Sequence, residues 1–254
     1  MKKIMLEEMT WPEAKEAFSR TDVAIIPTGS IEQHGHHCPL GTDIIIARTI
    51  AKRLGEKLGD VIVAPPVSYG FCEYHQGFVA VSVPNEAFYL TFKGIVDSLM
   101  KYGIKYFVVI NGHGGNKPNI DRVSVEIRPK GGLLTHIQWW ETVGALDKKW
   151  LAVGHADMIE TSAVWACMPE AMRMDQAKPH EPIPLTDEIE ILAPSRIRFR
   201  GQIMPVWTYT HEATRTGNFG DDPNTGSREI GEEALSTLVD FLADYVKAFR
   251  KIKL

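Results

Sequence analysis

Apolar residues along this chain come in two alternating kinds of run. Short β-branched runs occupy residues 23–27, 61–64, 106–110 and 133–139, and each reads as a strand. The runs at 23–27 and 106–110 are continuous rather than alternating, so those strands should be covered on both faces. Longer segments carry apolar residues at helical spacing over 44–58, 85–102, 118–127 and 229–251, and a further helix is expected over 160–168. Local signals agree with these bounds. Thr42-Asp43 opens the first helix, Gly59 closes it, and Gly103 closes the second. Such alternation predicts an α/β fold, a mostly parallel sheet with helices on both faces. A ligand crevice in such a sheet lies beyond the carboxyl ends of its strands. Residues 173–214 break the pattern, with weak periodicity, many prolines and two late aromatics, Trp207 and Tyr209. That stretch reads as an insertion or lid.

Composition narrows the field. The 254 residues are 44% hydrophobic and 24% charged, ordinary for a globular chain and enough for one large α/β domain or two small ones. A net charge of −4 and a pI near 6.1, with Lys and Arg scattered, give no reason to expect a nucleic acid or an anionic membrane as partner. The opening residues have no apolar run behind their lysines, and no apolar stretch is long enough to span a bilayer. Three cysteines, Cys38, Cys72 and Cys167, are odd in number and widely spaced. That usage fits a reducing compartment, and a cytoplasmic location is expected.

The densest chemistry follows the first strand. Residues 29–43, Gly-Ser-Ile-Glu-Gln-His-Gly-His-His-Cys-Pro-Leu-Gly-Thr-Asp, hold Glu32, His34, His36, His37 and Asp43 in one loop. Glu-x-His spacing puts two donor side chains on the same side of an extended loop. Asp43 falls at a helix N-terminus, where a carboxylate is favoured and can reach back to the loop. Imidazole nitrogen with carboxylate oxygen suits zinc, manganese, iron or cobalt. A lone Glu-x-His is commonplace, and Asp43 alone would pass as a helix cap. Their concentration in a Gly/Pro-bounded loop turns the reading towards metal ligation. His36, at the position of opposite parity, reads as a surface residue, and His37 as a surface residue or a hydrogen-bond partner behind the ligands.

Two further segments add to this. Residues 111–116, Asn-Gly-His-Gly-Gly-Asn, end the third strand in a glycine-rich turn. An anion cradle at a helix N-terminus is one reading. The turn lacks the Lys and Ser/Thr of a phosphate loop and the glycine spacing of a dinucleotide fingerprint, which favours His113 as a metal ligand. In residues 154–162, His155 and Glu160 stand five apart. With His155 in a loop and Glu160 in the first helical turn, both could face one cleft; taken alone, Glu160 is explained as a helix cap.

Together these segments resemble the creatininase (creatinine amidohydrolase) family. The motifs are Gly-Ser-Ile-Glu-Gln-His-Gly-x-His-x-Pro-x-x-Thr-Asp, Asn-Gly-His-Gly-Gly-Asn and Gly-His-Ala-x-x-x-Glu-Thr-Ser, with weaker support from Tyr69-Gly70, His75 and residues 217–223. The resemblance implies a three-layer α/β/α sandwich, one hydrolase domain over residues 1–254, a site for two divalent ions and a homo-oligomer, commonly a hexamer. By motif position Glu32 and His113 would bind one ion and His34 the other, with Asp43 bridging and His155 moving a proton or orienting substrate. Creatininase itself has a glutamate two residues after the matching histidine, where this chain has Gly115. Similarity to relatives with the Gly-Gly form implies that Glu160 supplies the missing ligand.

The function so implied is a metal-dependent hydrolase, with zinc as the first choice and manganese or iron as alternatives. A metal-bridged hydroxide would open or cleave a small cyclic amide, formamide or cyclic ketone, and His155, titrating near neutral pH, would protonate the leaving group. Relatives acting on oxidised inositols by C–C cleavage fit the same chemistry. The rivals are a non-catalytic metal-binding subunit and a phosphate-ligand binding protein using the 111–116 turn. Trp139, Trp140 and Trp150 are the nearest tryptophans for covering a substrate, and Trp11 and Phe219 read as apolar surface residues suited to an interface.

Overall fold

The computed structural model describes residues 3–151 and 154–254, so the first two residues of the opening stretch lie outside it. Helix α1 (Trp11–Phe18) starts at Thr10, which forms a capping box with Glu13. In chain order follow β1 (Val23–Thr28), α2 (Thr42–Leu58), β2 (Ile62–Val63), α3 (Asn85–Lys101), β3 (Tyr106–Asn111) and α4 (Lys117–Ile127). Next come β4 (Leu133–Gln138), α5 (Trp139–Leu146) and α6 (Met158–Cys167). Three antiparallel strands, β5 (Ile189–Ala193), β6 (Arg196–Phe199) and β7 (Gln202–Pro205), form a second small sheet. The short α7 (Thr210–Ala213) and the long α8 (Arg228–Phe249) complete the chain.

The main sheet is parallel with the order β2-β1-β3-β4. Every residue of β1 and β3 is buried, and the pleat divides them between two cores. Val23, Ile25, Val108 and Ile110 pack with α2, α5, α6 and α8. Ala24, Ile26, Phe107 and Val109 pack with α1, α3 and α4. This is why the two runs show no alternation: each position faces a helix layer. A buried Val or Ile contributes roughly 1.5–3 kcal/mol relative to exposure, so the three layers are held mainly by these strands and the helix faces against them.

The strand order also places the site. From β1 the chain goes to β2 on one side, whereas β3 lies on the other, so the loops after β1 and β3 leave the sheet side by side. Such a switch point is where parallel sheets form ligand crevices. Thr28 Oγ1 donates to Asn111 Oδ1 at 2.8 Å, and the Gly112 amide donates to the Thr28 carbonyl at 2.8 Å, tying the two strand ends together. A side chain at Gly112 would collide with the main chain of Asp43, so only glycine lets the turn approach α2 this closely.

The strands and long helices lie where the hydrophobic pattern puts them, within a few residues. Helices α1 and α5 were not anticipated. The expected strand over 133–139 stops at Gln138, and Trp139 instead opens α5 with its side chain wholly buried against the α2/α8 core. Phe219 is not a surface residue: it is 1% exposed and packs with Ile191 and Ala213, whereas Trp11 is 76% exposed. The irregular 173–214 stretch contains the small antiparallel sheet and α7. The three cysteines are free thiols, and no helix among the described residues is long and apolar enough to cross a membrane.

Candidate metal centre

Five donor side chains meet beyond the carboxyl ends of β1 and β3. Glu32 and His34 come from the loop after β1, Asp43 from the first turn of α2, His113 from the turn after β3, and Glu160 from the first turn of α6. The first four are at most 3% exposed. His113 Nδ1 lies 3.1 Å from Glu32 Oε2 and 3.2 Å from Asp43 Oδ2. His34 Nε2 lies 3.0 Å from Asp43 Oδ1 and 3.7 Å from Glu160 Oε1. The donor atoms fall into the triads Glu32/Asp43/His113 and His34/Asp43/Glu160, which share Asp43, and a third, Glu32/His34/His155.

These close approaches are not aligned as hydrogen bonds. Glu32 Oε2, His34 Nε2 and Asp43 Oδ2 are all buried with no hydrogen-bond partner. An orphaned buried polar atom costs about 1–3 kcal/mol, more for a charged group, so three at one point demand an explanation. Their lone pairs face a common space rather than one another. Donors about 2.0–2.1 Å from a tetrahedral zinc would stand roughly 3.3 Å apart, close to the spacing found here. The donor set and its geometry fit a divalent cation.

Each ligand candidate is held from behind. His34 Nδ1 donates to the Glu32 carbonyl at 3.0 Å, which leaves Nε2 facing the carboxylates. His113 Nε2 donates to the Phe71 carbonyl at 2.8 Å, beside the Tyr74 hydroxyl at 3.1 Å, which leaves Nδ1 for Glu32 and Asp43. Asp157 caps α6 by accepting from the Glu160 amide at 3.2 Å, so Glu160 is not itself the cap. Glu160 Oε2 accepts from the Ala156 amide at 2.6 Å. Ala156 has a φ of 51°, a left-handed conformation that a non-glycine residue adopts only when its surroundings compel it. That turn aims its amide at Glu160 and brings His155 Nδ1 to 3.8 Å from Glu160 Oε2.

Charge follows from this packing. Burial alone would lower the His34 pKa, but the Glu160 and Asp43 carboxylates hold it well above the ordinary imidazole range. His113 is likewise raised against its burial, chiefly by Glu32. Burial would raise Glu32, yet His113 and His75 hold it well below the usual carboxylate range, and Glu160 is lowered by His34 in the same way. His155 behaves differently. Burial, reinforced by His34 and His75, pushes it down to about 3, which corrects the expectation that it titrates near neutral pH. The ring is neutral at pH 7.

Other expectations resolve individually. His36 is exposed, as its loop position suggests. His37 is buried behind the centre, with Nε2 2.8 Å from Thr161 Oγ1, and burial pushes it down to about 4. Trp139 and Trp150 lie in the core, so neither covers the site. Trp207, half exposed, instead packs on Phe71 and Tyr74 with ring centroids 5.9 and 5.8 Å away. His75 was noted only within the weaker motif, yet its Nε2 stands 3.0 Å from Glu32 Oε1. The amides of Gly112, His113 and Asn116 bond to Thr28 O, Asn111 Oδ1 and His113 O, so the turn has few donors left for a phosphate.

Comparison with known proteins points the same way. A family model described as creatininase, creatinine amidohydrolase, matches residues 7–246. The mycofactocin precursor peptide peptidase of Mycolicibacterium smegmatis is 30% identical over 93% of this chain and 89% of its own length. The 3-dehydro-scyllo-inosose hydrolase of Thermotoga maritima is 26% identical over 96% of this chain and 83% of its own. Among solved structures, a zinc–zinc form of a mutant creatininase superimposes with a TM-score of 0.76 at 24% identity, covering 98% of this chain and 99% of the other. A manganese form of creatininase gives the same TM-score, identity and coverage.

Proposed function

The chain belongs to the creatininase family of hydrolases, and from that premise we propose that it is a metal-dependent hydrolase acting on a carbonyl of a small molecule. The observation that carries the reading is the trio of orphaned donors, Glu32 Oε2, His34 Nε2 and Asp43 Oδ2, buried around one space. In this reading Glu32, Asp43 and His113 would hold one divalent ion and His34, Asp43 and Glu160 the other, Asp43 belonging to both triads. Zinc is the first choice, with manganese or iron as alternatives; the creatininase structures in zinc and manganese forms support that choice. Such ions supply Lewis acidity and lower the pKa of water towards neutrality.

The chain's own groups do the rest. Two divalent ions would exceed the three carboxylates by one positive charge, which favours a polarised carbonyl oxygen in a dry cleft. His155, neutral at pH 7 and with Nδ1 beside Glu160, is placed to take a proton from attacking water and pass it to the leaving atom. A stored proton is not needed. The reaction class is opening or cleavage of a small cyclic amide, formamide or cyclic ketone. C–C cleavage of a keto-inositol is the alternative that the inosose hydrolase relative supports. One domain over residues 1–254, a cytoplasmic site of action and a homo-oligomer, with a hexamer as the specific expectation, complete the proposal. Nucleic acid and membrane have no part in it.

The experiment is a turnover screen of cyclic amides, formamides and keto-inositols with zinc- or manganese-reconstituted protein, alongside metal analysis of His113→Ala. Hydrolysis that persists in a folded His113→Ala protein without bound metal would refute the reading. Multi-angle light scattering checks the assembly, with a monomeric mass as the contrary result.

A further inference from the structure

Gln33 sits between two ligand candidates in sequence, and its buried amide lies between the rings of His75 and His155. Its Oε1 accepts from the Gly35 amide at 2.9 Å, which fixes which end of the amide is oxygen. Its Nε2 lies 2.8 Å from the Gly217 carbonyl, 3.0 Å from His75 Nδ1 and 3.1 Å from His155 Nε2. An amide nitrogen has two hydrogens for these three neighbours. Gly217 O can only accept, and takes one. His155 Nε2 also stands 2.8 Å from the main-chain oxygen of Gln33, which again can only accept. That ring nitrogen therefore carries its own hydrogen and cannot receive another. The second amide hydrogen goes to His75 Nδ1. Thr210 Oγ1 donates to Tyr74 O at 3.0 Å and could accept from His75 Nδ1 at 3.0 Å, but a hydrogen on Nδ1 would then face the second Gln33 amide hydrogen and leave it without an acceptor.

Both rings are thus protonated on Nε2, yet they face the centre with opposite atoms. His75 turns its N–H on Glu32 Oε1 at 3.0 Å, and His155 turns its bare Nδ1 on Glu160 Oε2 at 3.8 Å. We propose that Gln33 is the positioning residue of this centre: its side chain makes His75 a donor to Glu32, and its main chain makes His155 a proton acceptor beside Glu160. With Oε1 engaged by His75, Glu32 offers its orphaned Oε2 to the space shared with His113 and Asp43. Beside Glu160, two acceptors face each other with no hydrogen between them, so a proton in transit is received at His155 Nδ1 rather than Nε2. The catalytic meaning rests on the hydrolase reading; the tautomers do not.

The test is histidine-selective ¹⁵N NMR of the metal-free protein, assigned with His75→Asn and His155→Asn. Both rings should show a protonated Nε2 and a bare Nδ1; a hydrogen on Nδ1 of either ring in the parent protein overturns the proposal. Gln33→Glu keeps the size but removes both side-chain donors. It should put a hydrogen on His75 Nδ1 while leaving His155 unchanged, and weaken zinc binding in chelator competition by roughly 10–100-fold. An unaltered His75 spectrum in that variant contradicts the assignment. Should Gln33→Glu fail to fold, the parent spectrum and that of Thr210→Val, expected to keep both tautomers, still decide. A protein with these tautomers that hydrolyses nothing would sink the hydrolase reading and leave this one intact.

Discussion

Gly115 offers a sharp perturbation, because the space around it is already full. A Cβ there would stand 2.6 Å from His113 Nε2 and 3.0 Å from the Tyr74 hydroxyl, and closer still to the Phe71 carbonyl. Those are the groups that orient the His113 ring. Gly115→Ala must displace one of them, and overpacking of this kind costs about 1–3 kcal/mol. For a chain of this size that lowers the melting temperature by roughly 2–12 °C. Rotating His113 off the Phe71 carbonyl should also weaken zinc binding about 10–100-fold. Calorimetry of the metal-free protein and chelator competition read the two effects separately. Gly114→Ala is the control, since nothing lies within 4 Å of its missing Cβ, and it should stay within about 0.5 kcal/mol of the parent. A Gly115→Ala protein with parental melting and zinc affinity refutes the argument. By the same geometry Gly115→Glu does not restore a ligand; it adds the clash.

Other outcomes follow from the site's charges. Glu160→Gln keeps an acceptor for the Ala156 amide but removes a carboxylate from the His34 triad, so metal analysis should give about one ion per chain instead of two. Neighbouring carboxylates raise His34 and His113 well above the ordinary imidazole value, so zinc must compete with protons at both rings. Calorimetry in buffers of different ionisation enthalpy should report about two protons released, fewer as pH rises, and a release near zero at pH 7 contradicts the assignment. The metal-free protein has a two-sided pH profile. Raised imidazoles stabilise fully below pH 6.5 and lose this as pH climbs through their folded values, while lowered Glu32 and Glu160 stabilise above pH 4.5 and lose it as pH falls. His155 and His37, pushed down to about 3 and about 4, lose stability as pH falls below 6.5. The urea midpoint should therefore peak close to pH 6.5, and a midpoint rising steadily to pH 8 is the contrary result. Zinc at about 100 times its dissociation constant should add roughly 2.7 kcal/mol per site, or about 5–10 °C, and dialysis against chelator should remove it.

Much of this centre was legible because its donors sit at strand ends. Glu32, His34 and His113 follow two uninterrupted apolar runs, and a parallel sheet brings such loops together at its switch point. Glu160 was harder, since a carboxylate in the first turn of a helix is as well explained by capping; in the folded chain Asp157 makes that cap. His75 and Gln33 escaped because their parts depend on distant partners, Thr210 and Gly217, contributed by a stretch with no periodic signal. Helix α5 was missed because the apolar run of β4 continues into Trp139, where the chain changes from strand to helix without a polar break. The pKa of His155 lay beyond reach for a similar reason: it is set by burial and two neighbouring rings, neither visible in local sequence.

The central claim is that a pair of divalent ions shares the Asp43 carboxylate. Anomalous diffraction from crystals grown with zinc, collected on both sides of its absorption edge, tests it most directly. The account predicts two peaks flanking Asp43, one against Glu32 and His113 and the other against His34 and Glu160. A single peak, or none within bonding distance of Asp43, contradicts it.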